Sequence, residues 1–504
     1  ERAYKEEPAA DRAVYVFNRG KRCLARIKFT YRWLILWFAC NLGHASCLVI
    51  HMLFGDVSLH SLRENSSDVS LGNMRPAKLL GVIIWALLEW GCGEGAVRST
   101  ADSVGAEVRS GDIQMAAYTH YRADGNRLVD GWGILPEAPP LDIPLDGVPE
   151  WLVAASTGQS SIWVAILGDG RVQAFRVADR VYAPIGVGDD RMSIGMPPAL
   201  RIEGGLRARL LGSDTSAAPF SHPVILPDGR IALIDYRGDL VVISGHGEDR
   251  LSVDALPDAR LLVDELGRLA FYNRPTTRYE HGILGDIIEA GGVAIVSTFG
   301  ALRIDLQVEF RSPLVAEGLA PLWVDWDGDG AREIVVTLSE ERASARVVVF
   351  DEDGTQRALG PPIGRGFSWR HVIACAGFTG SNRELVVVRT PHIGGVVEFY
   401  ALEGEKMETV AQLSGFTSHL VGTRNFDMAL AGDFDGDGSL EVLLPNQERT
   451  HLAAIGRNAR GAQRLWQVDL GGQMATNLTA AVLADGKMLV GAAHTGQRLR
   501  IWGP

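Results

Sequence analysis

From about residue 150 onward, apolar and polar positions alternate in short runs, and the runs come in pairs joined by turns rich in Gly and Asp. Instances are 162–177 around Gly168-Asp169-Gly170 and 223–235 around Pro227-Asp228-Gly229. Others are 321–337 around Asp327-Gly328-Asp329-Gly330 and 373–389 around Gly380-Ser381-Asn382. The last two are 428–444 around Asp435-Gly436-Asp437-Gly438 and 479–492 around Asp485-Gly486. Val, Ile and Leu on both sides of an Asp-Gly turn are the signature of a β-hairpin. After residue 110 no helix-length run follows a 3.6-residue period, so the chain reads as all-β.

The spacing of the pairs predicts the architecture. The turn residues Gly170, Gly229, Gly330, Ser381, Gly438 and Gly486 are separated by 59, 101, 51, 57 and 48 positions. The widest gap is two periods, with a further unit at 261–272 or 283–297. A period near 50 with four short strands per unit is that of a β-propeller, in which each sheet packs both faces against its neighbours. The expectation is a single seven-bladed propeller over 150–504, with six or eight blades as alternatives. Closure is expected between Trp151–Ala155 and Leu499–Trp502. A single ring accounts for a length that a rule of about 150 residues per domain would divide into three.

The first 150 residues follow another pattern. Residues 33–54 form a mostly apolar run preceded by Lys21, Arg22, Arg26, Lys28 and Arg32, which predicts a membrane-spanning helix. A second export-like segment, 74–96, has a basic start (Met74-Arg75-Pro76-Ala77-Lys78), an apolar run from Leu79 to Leu88 and then small residues. Two such segments in tandem predict that Met74 is the start and 1–73 lies upstream of it, the alternative being a true N-terminal anchor. Residues 97–149 read as linker and first propeller strands. Either reading exports the bulk of the chain to the periplasm, the cell surface or the medium. A membrane is engaged only through that signal or anchor.

Charge sharpens this division. The net charge is −12, but residues 1–73 hold 10 basic and 7 acidic residues, so 74–504 carry −15. That surplus argues against nucleic acid as a partner. Four of the five cysteines precede residue 93, which leaves Cys375 alone in the repeats and rules out an internal disulfide there.

Much of the acidity is concentrated in two loops. Asp325-Trp326-Asp327-Gly328-Asp329-Gly330-Ala331-Arg332-Glu333 and Asp433-Phe434-Asp435-Gly436-Asp437-Gly438-Ser439-Leu440-Glu441 share carboxylates at positions 1, 3, 5 and 9 and Gly at 4 and 6. Four carboxylates in nine residues repel one another, a cost that no turn requires and that a hard dication with about six to eight oxygen ligands offsets. The expected cofactor is Ca2+ at two sites. The ligands of the first are Asp325, Asp327, Asp329, Glu333 and the carbonyl of Ala331. Those of the second are Asp433, Asp435, Asp437, Glu441 and the carbonyl of Ser439. Neither is an EF-hand, because position 12 is Val336 or Leu444. Asp228-Gly229 and Asp485-Gly486 are read as plain turns. Gly377–Glu384 reads as the same loop with its aspartates lost.

The paired Asp-x-Asp-x-Asp-Gly-x-x-Glu loops resemble FG-GAP/VCBS-type repeats, found in the propeller heads of integrin α subunits and in exported bacterial propellers. The resemblance implies that the eight carboxylates are calcium ligands on propeller hairpins. Glu333 and Glu441 stand where an Asp is common, and the Phe-Gly and Gly-Ala-Pro words of that repeat are not clearly present. Rhamnogalacturonan-lyase propellers carry similar acidic loops.

No Gly-x-Ser-x-Gly, His-Glu-x-x-His, P-loop or dinucleotide fingerprint occurs. Polar residues do precede the first strands of several repeats, where loops of a propeller converge on its central funnel. His222, His281, His371, Arg424 and Asn425 are the candidate binding set for an anionic or carbohydrate ligand. The competing reading is that each one braces its own blade. The sequence favours a non-enzymatic, calcium-stabilised module that binds protein or carbohydrate. The alternative is a polysaccharide lyase or glycoside hydrolase acting on uronate-rich glycans.

Overall fold

The computed structural model describes residues 13–18, 21–26, 47–53, 56–62, 113–117 and 124–503, except 205–206, 212–215 and 381. Contacts divide the chain into 1–105 and 106–504. In the first unit Ala13–Asn18 pairs with Lys21–Arg26, and Cys47–Leu53 pairs with Asp56–Leu62. The described part of the apolar run 33–54 is therefore a strand rather than a helix, in keeping with the β-branched pair Val49-Ile50. The rest of that run, and all of 74–96, lie outside the described residues. No helix among the described residues is long and apolar enough to cross a membrane.

The second unit is a β-propeller. Its sheets follow one another along the chain at 149–185, 199–211, 224–252, 262–309, 315–359, 370–414, 430–469 and 479–502, which makes eight blades among the described residues. The repeat spacing favoured seven because one blade has no Asp-Gly turn and borrows a strand. Ile113–Ala117 pairs with Ala199–Glu203, which pairs with Arg207–Leu211. The wide gap holds one ordinary blade, 262–309.

Burial falls from the inside of each blade outward. Glu333–Ser339, Met488–His494 and Glu289–Ser297 are buried at every position, whereas the outer strands Val181–Ile185 and Gly247–Ser252 are almost wholly exposed. Strands sandwiched between neighbouring blades need apolar residues on both faces, so they lose the clean alternation of half-solvated strands. Core clusters accordingly span adjacent blades: Val386, Val388 and Phe399 pack with Val442, Leu444 and Ile455.

Closure differs from the expected pairing. Leu141–Pro144 pairs with Arg498–Trp502, completing the last blade with a strand that precedes the first. Trp151–Ala155 instead forms the inner strand of the next blade and faces the last one through side chains. Asn477 Nδ2 donates to Leu152 O at 2.7 Å and its Oδ1 accepts from Leu152 N at 3.0 Å, so a side-chain amide links the two ends of the ring. At Gly491 a Cβ would lie 2.2 Å from the Trp163 ring, so this seam needs the bare backbone of glycine.

Residues 124–135 cross the inner edges of four successive blades. Asp124 O accepts from Trp323 N, Asn126 pairs with both backbone groups of Cys375, and Leu128–Trp132 runs parallel to Leu430–Asp433. Trp132 N then donates to Gly486 O. What remains beside this segment is a cavity of about 30 Å3, lined by Arg127, Arg260, Glu317, Arg370, Trp369 and Asp427 among others.

Candidate metal loops and the opposite rim

Loops joining strands one and two of an antiparallel blade emerge on one face of the ring, and those joining strands two and three, or successive blades, emerge on the other. Asp325–Glu333 and Asp433–Glu441 are of the first kind, each leading into its blade's long buried strand. The histidine-bearing loops are of the second kind.

The two acidic loops wrap alike. Glycines 328, 330, 436 and 438 all have φ between 78° and 94°, a region costly for other residues, which is why Gly stands at positions 4 and 6. Backbone N–H groups turn the carboxylates inward: Gly328 N donates to Asp325 Oδ1 and Gly436 N to Asp433 Oδ1, both at 2.7 Å. Trp326 N donates to Glu333 Oε2 at 2.7 Å, and Phe434 N to Glu441 Oε2 at 2.9 Å. The N–H groups of Ala331 and Ser439, whose carbonyls were the expected fifth ligands, bind Asp329 Oδ1 and Asp437 Oδ1.

The loops differ in what faces the carboxylates. In 433–441 one oxygen from each of Asp433, Asp435, Asp437 and Glu441 lies within 4.8 Å of all the others. Glu441 is fully buried, and its Oε1 has no hydrogen-bond partner. Burial, reinforced by the carboxylates of Asp435, Asp433 and Asp437, pushes its carboxyl up to about 8. In 325–333 only Asp325, Asp327 and Glu333 converge, and Asp329 falls outside the group. There Arg357, from the outer strand Gln356–Leu359, lies 2.6 Å from Asp327 Oδ2 and 3.4 Å from Glu333 Oε1. Its hydrogen bond holds Asp327 below the usual carboxylate range, while burial raises Glu333. The equivalent outer strand of the other blade offers Trp466, whose indole N–H donates to Asp435 Oδ2 at 2.8 Å. The all-oxygen donor set of 433–441, with a buried oxygen unpartnered at its centre, fits a hard dication.

The degenerate loop at 377–384 keeps Glu384, and Arg457 Nε stands 3.1 Å from its Oε2. The plain turns are self-neutralised: Asp228 pairs with Arg230, and Asp485 with Lys487.

On the opposite rim the structure brings the candidate binding residues together but gives each a structural partner. His222 is buried, with Nδ1 3.1 Å from Pro223 O, and burial pushes its ring down to about 3. His371 is buried against Trp369, with stacked rings 4.8 Å apart, and its Nδ1 is 2.8 Å from Ser418 Oγ. Arg424 bridges Asp258 and Asp286 and covers the Phe220 ring at 4.2 Å. Asn425 Nδ2 donates to Glu150 O at 3.0 Å. His281, the most open of the set, lies with Nδ1 2.5 Å from Glu317 Oε1 and stacks on Phe367.

Further titratable residues adjoin this set. His392 Nε2 and His419 Nδ1 are 2.8 Å apart, and His419 Nε2 is 2.8 Å from Thr423 O. Burial pushes these rings down to about 4 and about 3 respectively. Glu289 and Glu317 are both buried, and burial together with their mutual repulsion raises the Glu289 carboxyl. They lie 28 positions apart, Glu289 opening the strand Glu289–Ser297 and Glu317 following Val315–Ala316, so only the fold brings them together.

No family model matches the chain, and no curated protein matches it. Among solved structures 306 chains do match. A europium-containing methanol dehydrogenase is 10% identical, with a TM-score of 0.45, covering 75% of this chain and 89% of its own. The C-terminal WD40 domain of Sif2 is 9% identical, with a TM-score of 0.40, covering 74% of this chain and 99% of its own. At that level of likeness neither bears on function. The strand pairings themselves define the class: among the described residues, an all-β propeller of eight blades, preceded in the chain by a separate N-terminal unit.

Proposed function

We propose that the protein is an exported β-propeller, stabilised by Ca2+, that serves as an interaction module for a protein or carbohydrate partner. The observation that carries the calcium reading is Glu441: a fully buried carboxylate oxygen without a partner, aimed at three further carboxylates. Ca2+ supplies the positive charge that offsets this repulsion. The chain's own residues hold the aspartates in place through the loop N–H groups, and Trp466 orients Asp435. Export rests on the leader-like pattern of 74–96.

The rim supports the binding role. Phe367 and Ile393 are 47% and 84% exposed, Val421 is 58% and Ile287 is 46%. Their loops are tied together by the Phe367–His281 stack, the His392–His419 contact and the bond from Gly422 N to Ile283 O. Clustered apolar side chains on a polar rim mark interaction surfaces. The test is binding of the full chain to printed arrays of uronate polymers, neutral polysaccharides and peptides. One class is expected to retain it, and Ile393→Ser with Val421→Ser should abolish retention without lowering Tm. A blank array for the unmodified protein would sink the binding role.

The cleavage alternative rests on the Glu289–Glu317 pair with His281, since a carboxyl of raised pKa suits a general acid. Both carboxyls are only 2% exposed, which disfavours it. Unsaturated product from a uronate polymer would establish it.

A further inference from the structure

The two acidic loops have the same sequence pattern, yet their surroundings sort them, together with the degenerate loop, into a series. At 377–384 the aspartates are gone and Arg457 stands against the remaining Glu384. At 325–333 the aspartates are present and Arg357 reaches Asp327, Glu333 and, at 3.5 Å, Asp351. At 433–441 the charges acting on Glu441 are the carboxylates Asp433, Asp435 and Asp437, and the outer-strand position is taken by neutral Trp466.

We infer that Arg357 is a tethered counter-cation that takes the place of a metal charge at 325–333, so that the two loops bind Ca2+ unequally. This rests on the calcium reading proposed above. The guanidinium forms charge-assisted bonds to two of the three converging carboxylates, and it is planar and permanently charged, which suits it to that role. A dication entering this loop has to displace Arg357 or sit beside it. In the first case the Asp327 contact is lost, and in the second a positive charge remains a few ångströms from the ion. Arg357 is 26% exposed and so has solvent to swing into, which makes the loop a weak site rather than a closed one. Loop 433–441 carries no such competitor and takes the first ion.

The experiment is calorimetric titration of Ca2+ into the metal-free full chain, beside Arg357→Gln, with Tm followed in parallel. The unmodified protein should bind one ion tightly and a second at least roughly tenfold more weakly. Arg357→Gln should bring the weak site toward the strong one and add to the Ca2+-dependent rise in Tm. Glu441→Gln should remove the tight site and leave the Arg357-dependent one. Two equal sites in the unmodified protein, unaltered by Arg357→Gln, would overturn the role of Arg357 and leave the calcium reading standing. No binding by either protein would remove the calcium reading and this inference together.

Discussion

Loops 325–333 and 433–441 match at every charged position of the motif except one: Arg332 stands where the second loop has Leu440. In the fold Arg332 turns away to Asp124 and Glu265. The decisive difference lies 24 residues beyond the first motif, at Arg357, and 25 beyond the second, at Trp466. Both side chains reach the second aspartate of their loop, one as a cation and the other as a neutral donor. The motif therefore specifies the wrapping of the backbone and the gathering of carboxylates. On the inference drawn above, the outer strand of the blade decides whether that charge awaits a metal.

The largest effect is expected at Glu441. Glu441→Gln keeps the shape and an oxygen to accept from Phe434 N, but it removes the charge at the centre of the donor group. Calcium saturation at about 100 times Kd stabilises a protein by about 2.7 kcal/mol. The variant should lose most of the corresponding rise in Tm, while its metal-free form melts higher than the metal-free parent because a buried repulsion is gone. An unchanged calcium-dependent rise in Tm would mean that the loop is not the site.

The pH dependence sharpens the contrast. In EDTA the folded-state carboxyl of Glu441, at about 8, stands above its ordinary value of 4.5, so folding favours the protonated form. Its contribution is full below about 4.5 and is lost as pH rises through 8. The rim acts in the opposite sense. His222, His392 and His419 are held at about 3 to 4 against an ordinary 6.5, so their contribution is full above 6.5 and is lost as pH falls toward 4. Metal-free protein should therefore lose Tm on both sides of a shallow maximum between these limits. Excess Ca2+, or Glu441→Gln, should flatten the alkaline side alone. A flat alkaline limb in EDTA would contradict the environment assigned to Glu441.

A smaller change is expected at Trp466. Trp466→Phe keeps an aromatic ring in the half-buried position and removes only the indole N–H that orients Asp435. Losing one such bond costs about 0.5–1.5 kcal/mol. Calcium affinity at 433–441 should fall modestly, with stoichiometry unchanged. Complete loss of binding would show that Trp466 does more than orient a ligand.

The propeller was legible in the sequence because blades repeat at a near-constant period and turn residues punctuate them. The eighth blade was not, since Ala199–Glu203 takes its inner strand from Ile113–Ala117, some 80 residues earlier, with no Asp-Gly turn to mark it. The closing strand escaped for the same reason: Leu141–Pro144 contributes only four residues, and its partner lies at the far end of the chain. The carboxylate loops were legible residue by residue, and of their eight carboxylates all but Asp329 lie together in the fold. The acids that pair with Arg424 and His281 on the rim, Asp258, Asp286 and Glu317, come from other blades and leave no local trace. Asn477 shows the same limit: the sequence presents it as part of an Asn-x-Thr triplet, whereas in the fold it is buried and tied to Leu152.

The smallest effect is expected at Asp485, and it tests the criterion itself. Asp485-Gly486 has the turn chemistry of the metal loops, with Asp485 Oδ1 accepting from Lys487 N at 3.1 Å and Oδ2 2.9 Å from Lys487 Nζ. The hydrogen bond and charge of Lys487 hold this exposed carboxyl below its ordinary range, so its charge is already answered by a neighbour two residues on. It differs from 433–441 in having no converging partners and no buried orphan oxygen. Asp485→Asn should therefore leave calcium stoichiometry and the calcium-dependent rise in Tm unchanged. A fall in either would mean that an Asp-Gly turn alone recruits the ion, and the distinction drawn between Arg357 and Trp466 would lose its basis.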